Sequence, residues 1–572
     1  MWIVYIQNMA SLQKVRVRGH TYWRIVESRR VHGKPRPVPV LHLGTADSLL
    51  SRLLEAPHGQ LRIRSFQHGD VAALKAVADR LNVVSLIDGH VDRTAHPLSV
   101  GHTLLLAALN RAIRPRSKRG WASWAAQTSL GRLFPGLQVN ALTSQVFWDQ
   151  MDCVPLPALR RIEDDLTRAV VATLGIELDT LLYDTTNFVT YIASTNRRSK
   201  LAQRGHAKQK RRDLRLFSLA VLVSREGQIP LCSHVYEGNR VDATSFPESL
   251  SRIRERLETL SLSLKDVTLV YDKGNNSKRN QALVDGAPWG YVASLVPAQH
   301  PDLLALPVTE YRPLSSRRLG PLPVVRLTRT IWGVPRTILL VRSEALRAGQ
   351  IRGLRQHLDK RLRQLAAWKA DLAKPRSGPR TVRAAETRIE RLLTGQHLKK
   401  VLHIAYHPER RGSDRLEYAI DEAARMHLET EVFGKRILMT DRSHWSDEEI
   451  VLAYRGQSQV EATFRQLKDD EHLAVRPQYH WTDQKIHVHV FICLLGLLLA
   501  RVVEQEARRL GYRKGLSSLL EMLGRVRLAM VLRPAGQKGG RPRCEWRLED
   551  ADPRAQKLFR RLVPPRTPFV YT

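Results

Sequence analysis

Two short apolar runs in the middle of the chain each stop on an aspartate, and this arrangement constrains the fold more than any other feature. Thr180–Tyr183 (TLLY) leads to Asp184, and Val267–Tyr271 (VTLVY) leads to Asp272. Short continuous apolar runs of this kind read as buried strands. Phe188–Ala193 reads as a strand returning from Asp184. Phe217–Val223 and Ile229–Tyr236 continue the β pattern about an REGQ turn, and Ser245–Leu260 reads as a helix. Aspartates at strand ends on a rigid sheet suit a site for divalent cations. Taken singly, each is better explained as a turn-forming Asp after a strand; taken together, and with the third carboxylate below, they favour a site. Gly290–Val296 (GYVASLV) is a further apolar strand.

A third carboxylate stands far downstream, in Tyr454–Lys468 (YRGQSQVEATFRQLK). Tyr454 lies seven residues before Glu461 and Lys468 seven after it. Seven residues is close to two helical turns, so phenol, carboxylate and ammonium share roughly one helix face and can converge on a phosphate. Two alternatives compete. Ser458 and Glu461 have the Ser-x-x-Glu form of a helix cap, as do Ser446 and Glu449. Asp441, after the predicted strand Phe433–Thr440, is a rival metal carboxylate.

Lys and Arg outnumber Asp and Glu by 92 to 55, a formal charge of +37, which points to a polyanionic partner and first to nucleic acid. At 572 residues and 43% apolar content the chain is globular, with two to four domains. Cys153, Cys232, Cys493 and Cys544 are scattered without a CxxC pair, which disfavours a zinc finger or a disulfide framework and fits a reducing, cytoplasmic setting. The N-terminus does not read as a signal peptide. The most apolar run, Val490–Ala500, is too short to span a bilayer and reads as a buried helix. His487 and His489 fall on different helical faces and do not suggest a shared metal site. Near the N-terminus, Tyr22–Gly44 reads as a hairpin and Val71–Leu81 as a helix. Arg114, Arg116, Lys118 and Arg119 stand beside Trp121 and Trp124, which suits either a DNA-contacting module or a bundle with core tryptophans and a solvated basic edge. The basic stretch from Asn196 to Arg215, beside Asp184 in sequence, is a candidate phosphate contact.

LLYDTTNFVTY, VYEGNRVDATSF, LVYDKGNNS and YRGQSQVEATFRQLK, in that order, resemble the DDE transposases of bacterial insertion sequences. The likeness is to the insertion sequence 4 superfamily and its insertion sequence 1634-like branch. RSFQHGDVAAL and SVGHTLLLAALNRAIRPRSKRGW resemble the N-terminal region of the same branch. Tyr454, Glu461 and Lys468 fall on the Tyr, Glu and Lys of its Tyr-x2-Arg-x3-Glu-x6-Lys signature. Gln457 occupies the Arg position, and Arg455 is the nearest arginine. The resemblance implies an α/β fold, with a ribonuclease-H-like core of a mixed sheet flanked by helices and a helical N-terminal DNA-binding region. Asp184 would end its first strand, Asp272 its fourth, and Glu461 would lie on a later helix.

It also implies two-metal phosphoryl transfer. Asp184, Asp272 and Glu461 would hold two Mg²⁺ ions, with Mn²⁺ as a substitute, and Tyr454, Lys468 and Arg455 would position DNA phosphates. Double-stranded DNA, as element ends and target, would be the partner of a dimeric synaptic complex in a bacterial, nucleoid-associated setting. The separation of Asp272 from Glu461 requires an inserted domain. The expected organisation is a β-containing module over 1–60, a helical DNA-binding region over 61–175, core over 176–297, insertion over 298–445, core again over 446–515, and a basic C-terminal region over 516–572. Within the insertion, Val324–Leu340 predicts a hairpin turning at Gly333–Pro335, followed by charged helices over Ala345–Leu372 and Val382–Leu393. Trp289 and Trp332 are candidates by location for stacking on an extruded base, with ordinary packing the stronger expectation. Two other readings fit the same residues: a DNA-binding protein with a decayed site, and a ribonuclease-H-fold nuclease that cuts without joining.

Overall fold

The structure is a computed structural model describing residues 10–17, 19–31, 34–54, 62–206, 211, 213–260, 263–314, 316–374, 381–408, 415–533 and 543–564. Parts of three basic stretches, 207–210 with 212, 375–380 and 534–542, lie outside the described residues. The chain divides into a larger unit, 73–124 with 137–519, and a smaller unit, 1–72 with 125–136 and 520–572.

The larger unit is built on one nine-stranded sheet. Its strands in chain order are β1 (Thr180–Thr190), β2 (Arg215–Ser224), β3 (Pro230–Glu237), β4 (Thr268–Tyr271) and β5 (Gly290–Ser294). They continue with β6 (Arg312–Leu314), β7 (Leu322–Ile331), β8 (Val334–Arg342) and β9 (Lys435–Thr440). The spatial order is β6-β7-β8-β9-β5-β4-β1-β2-β3. β4 runs parallel to β1 and β5 parallel to β4, while all other neighbours are antiparallel. The central strands are buried on both faces, which accounts for their unbroken apolar sequences.

β1 corrects one expectation. The chain does not turn back after Asp184 but stays extended to Thr190, paired throughout with β2. The next residues suit a strand: Thr185, Thr186 and Phe188 are buried, and Phe188 stacks on its cross-strand partner Phe217 at 5.7 Å between ring centroids. Asp184 is therefore a mid-strand residue. The hairpin β7–β8 forms, but it turns at Trp332–Gly333, with φ of +52° and +87°, and Val334 and Pro335 belong to β8. A two-residue hairpin loop needs positive φ at both central positions, and a glycine in the second place meets half of that demand.

The segment 298–445 is not a separate body. β6 to β9 extend the sheet that carries the aspartates, because β9 pairs with β5 on one side and β8 on the other. What lies between β8 and β9 has its own core. Helices Glu344–Leu372 and Val382–Leu392 pack around Leu358, Leu365 and Trp368, with Leu402 and Leu416 of the small hairpin Leu402–His407/Arg415–Ile420. The apolar helix near the C-terminus runs from Asp483 to Arg509, longer than the apolar run alone suggested and long enough to cross a membrane. Its most apolar window is 94% buried inside the protein, as a core helix is. Trp121 and Trp124 are core residues while Arg114, Arg116 and Arg119 are exposed, so those tryptophans serve packing.

In the smaller unit, strands Ala10–Val17, His20–Val31 and Lys34–Gly44 form an antiparallel meander. A second sheet joins the two ends of the chain: Arg62–Gln67 pairs with Arg527–Arg533, which pairs with Arg543–Leu548. The four cysteines are free.

Candidate active site

The register of the central parallel pair builds the site. Tyr183 of β1 lies opposite Tyr271 of β4, so the next residues, Asp184 and Asp272, stand side by side where that ladder ends. Neighbouring strands are about 4.8 Å apart, which brings the two carboxylates within reach of one ion or an adjacent pair. Asp184 accepts a hydrogen bond from the Thr185 amide at 2.7 Å.

The third element crosses over these strands. Helix Asp447–Arg455 starts with the expected capping box, Ser446 and Glu449 each bonding the other's backbone. After Gly456 the chain continues as helix Gln457–Leu467, with Lys468 at its C-cap. A Cβ on Gly456 would meet Leu182 Cδ2 of β1 at 2.8 Å, so the absent side chain lets the helix lie against the strand. Tyr454 thus lies in the last turn before the break at Gly456, and Lys468 closes the second helix. The Tyr454 hydroxyl donates to Asp272 Oδ1 at 2.7 Å, and the Lys468 ammonium donates to Thr186 Oγ1 at 2.5 Å. Burial and the neighbouring Asp272 raise the Tyr454 phenol above its ordinary range, so it remains a donor.

Gln457 has a role that its sequence position does not suggest. Its buried side-chain amide donates to Val270 O at 2.8 Å and to Tyr183 O at 3.2 Å. One side chain therefore ties the helix to both aspartate strands, one residue before Asp184 and two before Asp272. No periodicity signals this, because the acceptors are backbone carbonyls distant in sequence.

Glu461 lies one turn further along, exposed, and its carboxylate makes no hydrogen bond or ion pair with the described residues. The helix has no side-chain cap, and Ser458 instead donates to Arg455 O at 2.8 Å, so Glu461 is not a capping residue. Asp184, Asp272, Tyr454, Arg455, Gln457 and Glu461 all line one cavity of about 1080 Å³. Exposed Lys273, Lys399, Lys400 and Arg436 line it too, with the Arg436 guanidinium 5.0 Å from the Tyr454 ring centre. A cavity holding three carboxylates among these cations suits a phosphodiester bridged to a metal.

Among the described residues no three His, Cys, Asp or Glu side chains gather tightly enough to enclose one ion. Asp184 and Asp272 follow paired residues of the parallel ladder, and Glu461 lines the same cavity from the helix. The donor set still fits Mg²⁺, which takes hard oxygen ligands, holds to one or two carboxylates and keeps its remaining positions for water and phosphate oxygens. Asp441 is placed elsewhere. β9 runs antiparallel to β5, which puts Asp441 towards the opposite end of the strands, beside the start of β5, where it accepts the Tyr291 amide at 2.9 Å. Trp289 is buried in the core and Trp332 sits at the hairpin tip; neither lines the cavity.

Residues 179–499 match the family model described as Transposase DDE domain. No curated protein matches the chain. Among solved structures, one match is to a chain of "Cryo-EM structure of piggyBac transposase synaptic complex with hairpin DNA", 9% identical, covering 82% of each chain at a TM-score of 0.32. That likeness is too weak to carry any argument. The family match spans more than half of the 572 residues and includes all three carboxylates, Gln457 and the cavity, and on it the chain belongs to the transposase DDE domain family.

Proposed function

We propose that this transposase cuts DNA at the ends of an insertion sequence and joins those ends to target DNA at the site formed by Asp184, Asp272 and Glu461. The observation that carries the reading is the Tyr183–Tyr271 register, which sets two aspartates side by side on the cavity that Glu461 overlooks. The order β3-β2-β1-β4-β5, with β4 and β5 running along β1, supports a ribonuclease-H-like core, into which β6 to β9 and their helices are inserted. The signature spacing of Tyr454, Glu461 and Lys468 supports the insertion sequence 4 superfamily and its 1634-like branch.

Asp184 and Asp272 would hold Mg²⁺, with Glu461 completing the set around a second ion. When bound, two such ions activate the attacking hydroxyl and stabilise the leaving oxygen of an in-line displacement. The chain's own groups do the rest. Tyr454 fixes one Asp272 oxygen by its hydrogen bond and leaves the other free to ligate. Gln457 holds the helix at a set height above both aspartates. Lys468, Arg455, Lys399 and Lys400 offer cations to the phosphates on either side of the scissile bond. No protein nucleophile is required, since water and then a DNA 3′-hydroxyl serve. Synapsis of two element ends calls for at least a dimer on DNA.

The test is cleavage and strand transfer on DNA carrying the element's ends, with Mg²⁺, comparing wild type and Glu461→Gln. The expected result is nicking and joining by wild type, and binding without either by the variant. Equal cutting by both removes Glu461 from the site. Cutting without any joined product by wild type makes the protein a nuclease rather than a transposase. Binding without cutting by both makes it a DNA-binding relic.

A further inference from the structure

At the far end of β1 from the cavity lies a second surface with its own chemistry. Tyr191, Tyr479 and Trp481 are large rings exposed to 41%, 60% and 45%. Tyr191 and Tyr479 face each other at 5.4 Å between ring centroids, and the Arg198 guanidinium lies 4.7 Å from the Trp481 ring centre. Arg197, Arg198, Lys200 and Arg204 are exposed around them.

The patch is built rather than incidental. Tyr191 N donates to Gln478 O at 2.8 Å, and Asn196 Nδ2 to Trp481 O at 3.3 Å, so the two segments that carry the rings are clasped together. Arg215 of β2 donates to the carbonyls of Asn196 and Ser194 at 2.8 and 2.5 Å. The Asp483 carboxylate is occupied by Ser199 Oγ, Leu201 N and Lys200 N at 2.7, 3.0 and 3.1 Å. The acid next to the patch thus holds its loop, and the outward charge is positive.

Exposed rings interleaved with cations on a fixed scaffold match the way unpaired nucleotides are bound. Bases stack on the rings and phosphates lie against Lys and Arg. Duplex bases already stack on one another and hide their faces, so the rings add little to duplex binding. A second copy of this chain is disfavoured, since the same cations would approach each other in a protein of net charge +37. Tyr191 lies seven residues beyond Asp184 along an extended strand, about 23 Å away. That is about seven nucleotides of stacked strand from the carboxylates.

We propose that Tyr191, Tyr479 and Trp481, with Arg197, Arg198, Lys200 and Arg204, form a binding site for single-stranded DNA, distinct from the cavity that holds the scissile phosphate. It would take the strand left unpaired beside a cleaved end. The inference rests on the chain acting on DNA. The experiment uses the full chain and measures binding of labelled oligothymidine and of a duplex of equal length, by wild type, Tyr479→Ala/Trp481→Ala and Trp481→Phe. Oligothymidine should quench wild-type tryptophan fluorescence, and Trp481→Phe should lose that quench while still binding. The double variant should bind oligothymidine about 10-fold or more weakly, with duplex affinity little changed. Thermal unfolding checks that it folds, and should it fail, the quench in Trp481→Phe decides alone. Equal losses on both DNAs make the patch a plain phosphate contact and overturn the proposal. Unchanged oligothymidine binding with a lower solution mass also overturns it and makes the patch a contact between copies. End cleavage by the same wild-type preparation separates the two readings. If it cuts while the patch variants bind oligothymidine normally, only this inference fails; if it neither binds nor cuts any DNA, the transposase reading fails first.

Discussion

Replacing Gln457 by Glu tests the clasp between the helix and the aspartate strands with almost no change of shape. The amide gives two hydrogen bonds, to Val270 O and Tyr183 O, from a residue only 7% exposed. A carboxylate has no donor, so both bonds become oxygen facing oxygen. Each lost neutral bond removes about 1 kcal/mol, and an uncompensated buried charge costs several kcal/mol more. The new carboxyl escapes part of that cost by keeping its proton, which raises its pKa above the unfolded value of about 4.3. Protonated, it regains one donor. A folded pKa above the unfolded one gives stability that is present below the unfolded value and is lost as pH rises through the folded value. Gln457→Glu should therefore sit about 1 kcal/mol below wild type in acid and fall further towards neutral pH. Gln457→Leu should lose about 2 kcal/mol, close to 30-fold in an unfolding equilibrium, without that pH dependence. Thermal unfolding from about pH 5 to about pH 8, with end nicking on the same samples, reads both effects. Wild-type stability of Gln457→Glu at neutral pH, or identical pH profiles for the two variants, would refute the donor role.

Three further outcomes follow from the same geometry. Tyr454→Phe removes a charge-assisted bond worth about 1.5–3 kcal/mol to Asp272, so nicking should slow by roughly 10-fold or more. Because burial raises the phenol's pKa, wild type should show no loss of rate from this group between neutral pH and the ordinary tyrosine range. Gly456→Ala drives a methyl to 2.8 Å from Leu182 Cδ2 and 2.9 Å from Ala453 O; we expect about 1–3 kcal/mol of destabilisation, read by thermal unfolding, and slower nicking. Asp441→Asn should keep cleavage intact, because the amide oxygen can still accept from Tyr291. Burial raises the Asp441 carboxyl, so wild type loses stability as pH rises through that raised value. The Asn variant should be flatter across the same window in a pH series of unfolding temperatures.

That Asp184, Asp272, Tyr454, Arg455 and Glu461 belong together was legible in the sequence, and the structure lines one cavity with them; their spatial relations were legible only in part. An apolar run ending on Asp announces a buried strand, and both such strands lie in the sheet beside each other. That β1 continues past Asp184 was hidden, because Asp-Thr-Thr-Asn has the composition of a turn while its threonines also suit a strand. The seven-residue spacing gave the helix face of Tyr454, Glu461 and Lys468, but not the break at Gly456, whose φ stays in the helical range. Gln457 read as a departure from the signature because its acceptors are main-chain carbonyls, which leave no trace in side-chain pattern. The hairpin was evident from its glycine; that it would extend the central sheet depends on β9, a strand separated from its neighbour β8 by a helical subdomain.

The sheet that crosses the inserted segment also sets an order of assembly. β5 has no partner on its outer edge until β9 is made, and β9 ends at Thr440, just before the helices that bring Gln457 and Glu461. Chains fold as they emerge from the ribosome, and contacts between distant residues form last. A nascent chain that has passed Asp272 holds both aspartates but has neither the closed sheet nor the third carboxylate. The full carboxylate set therefore comes together only after β9 and the helices that follow it are made, and an incomplete chain ending before β9 holds Asp184 and Asp272 without Glu461.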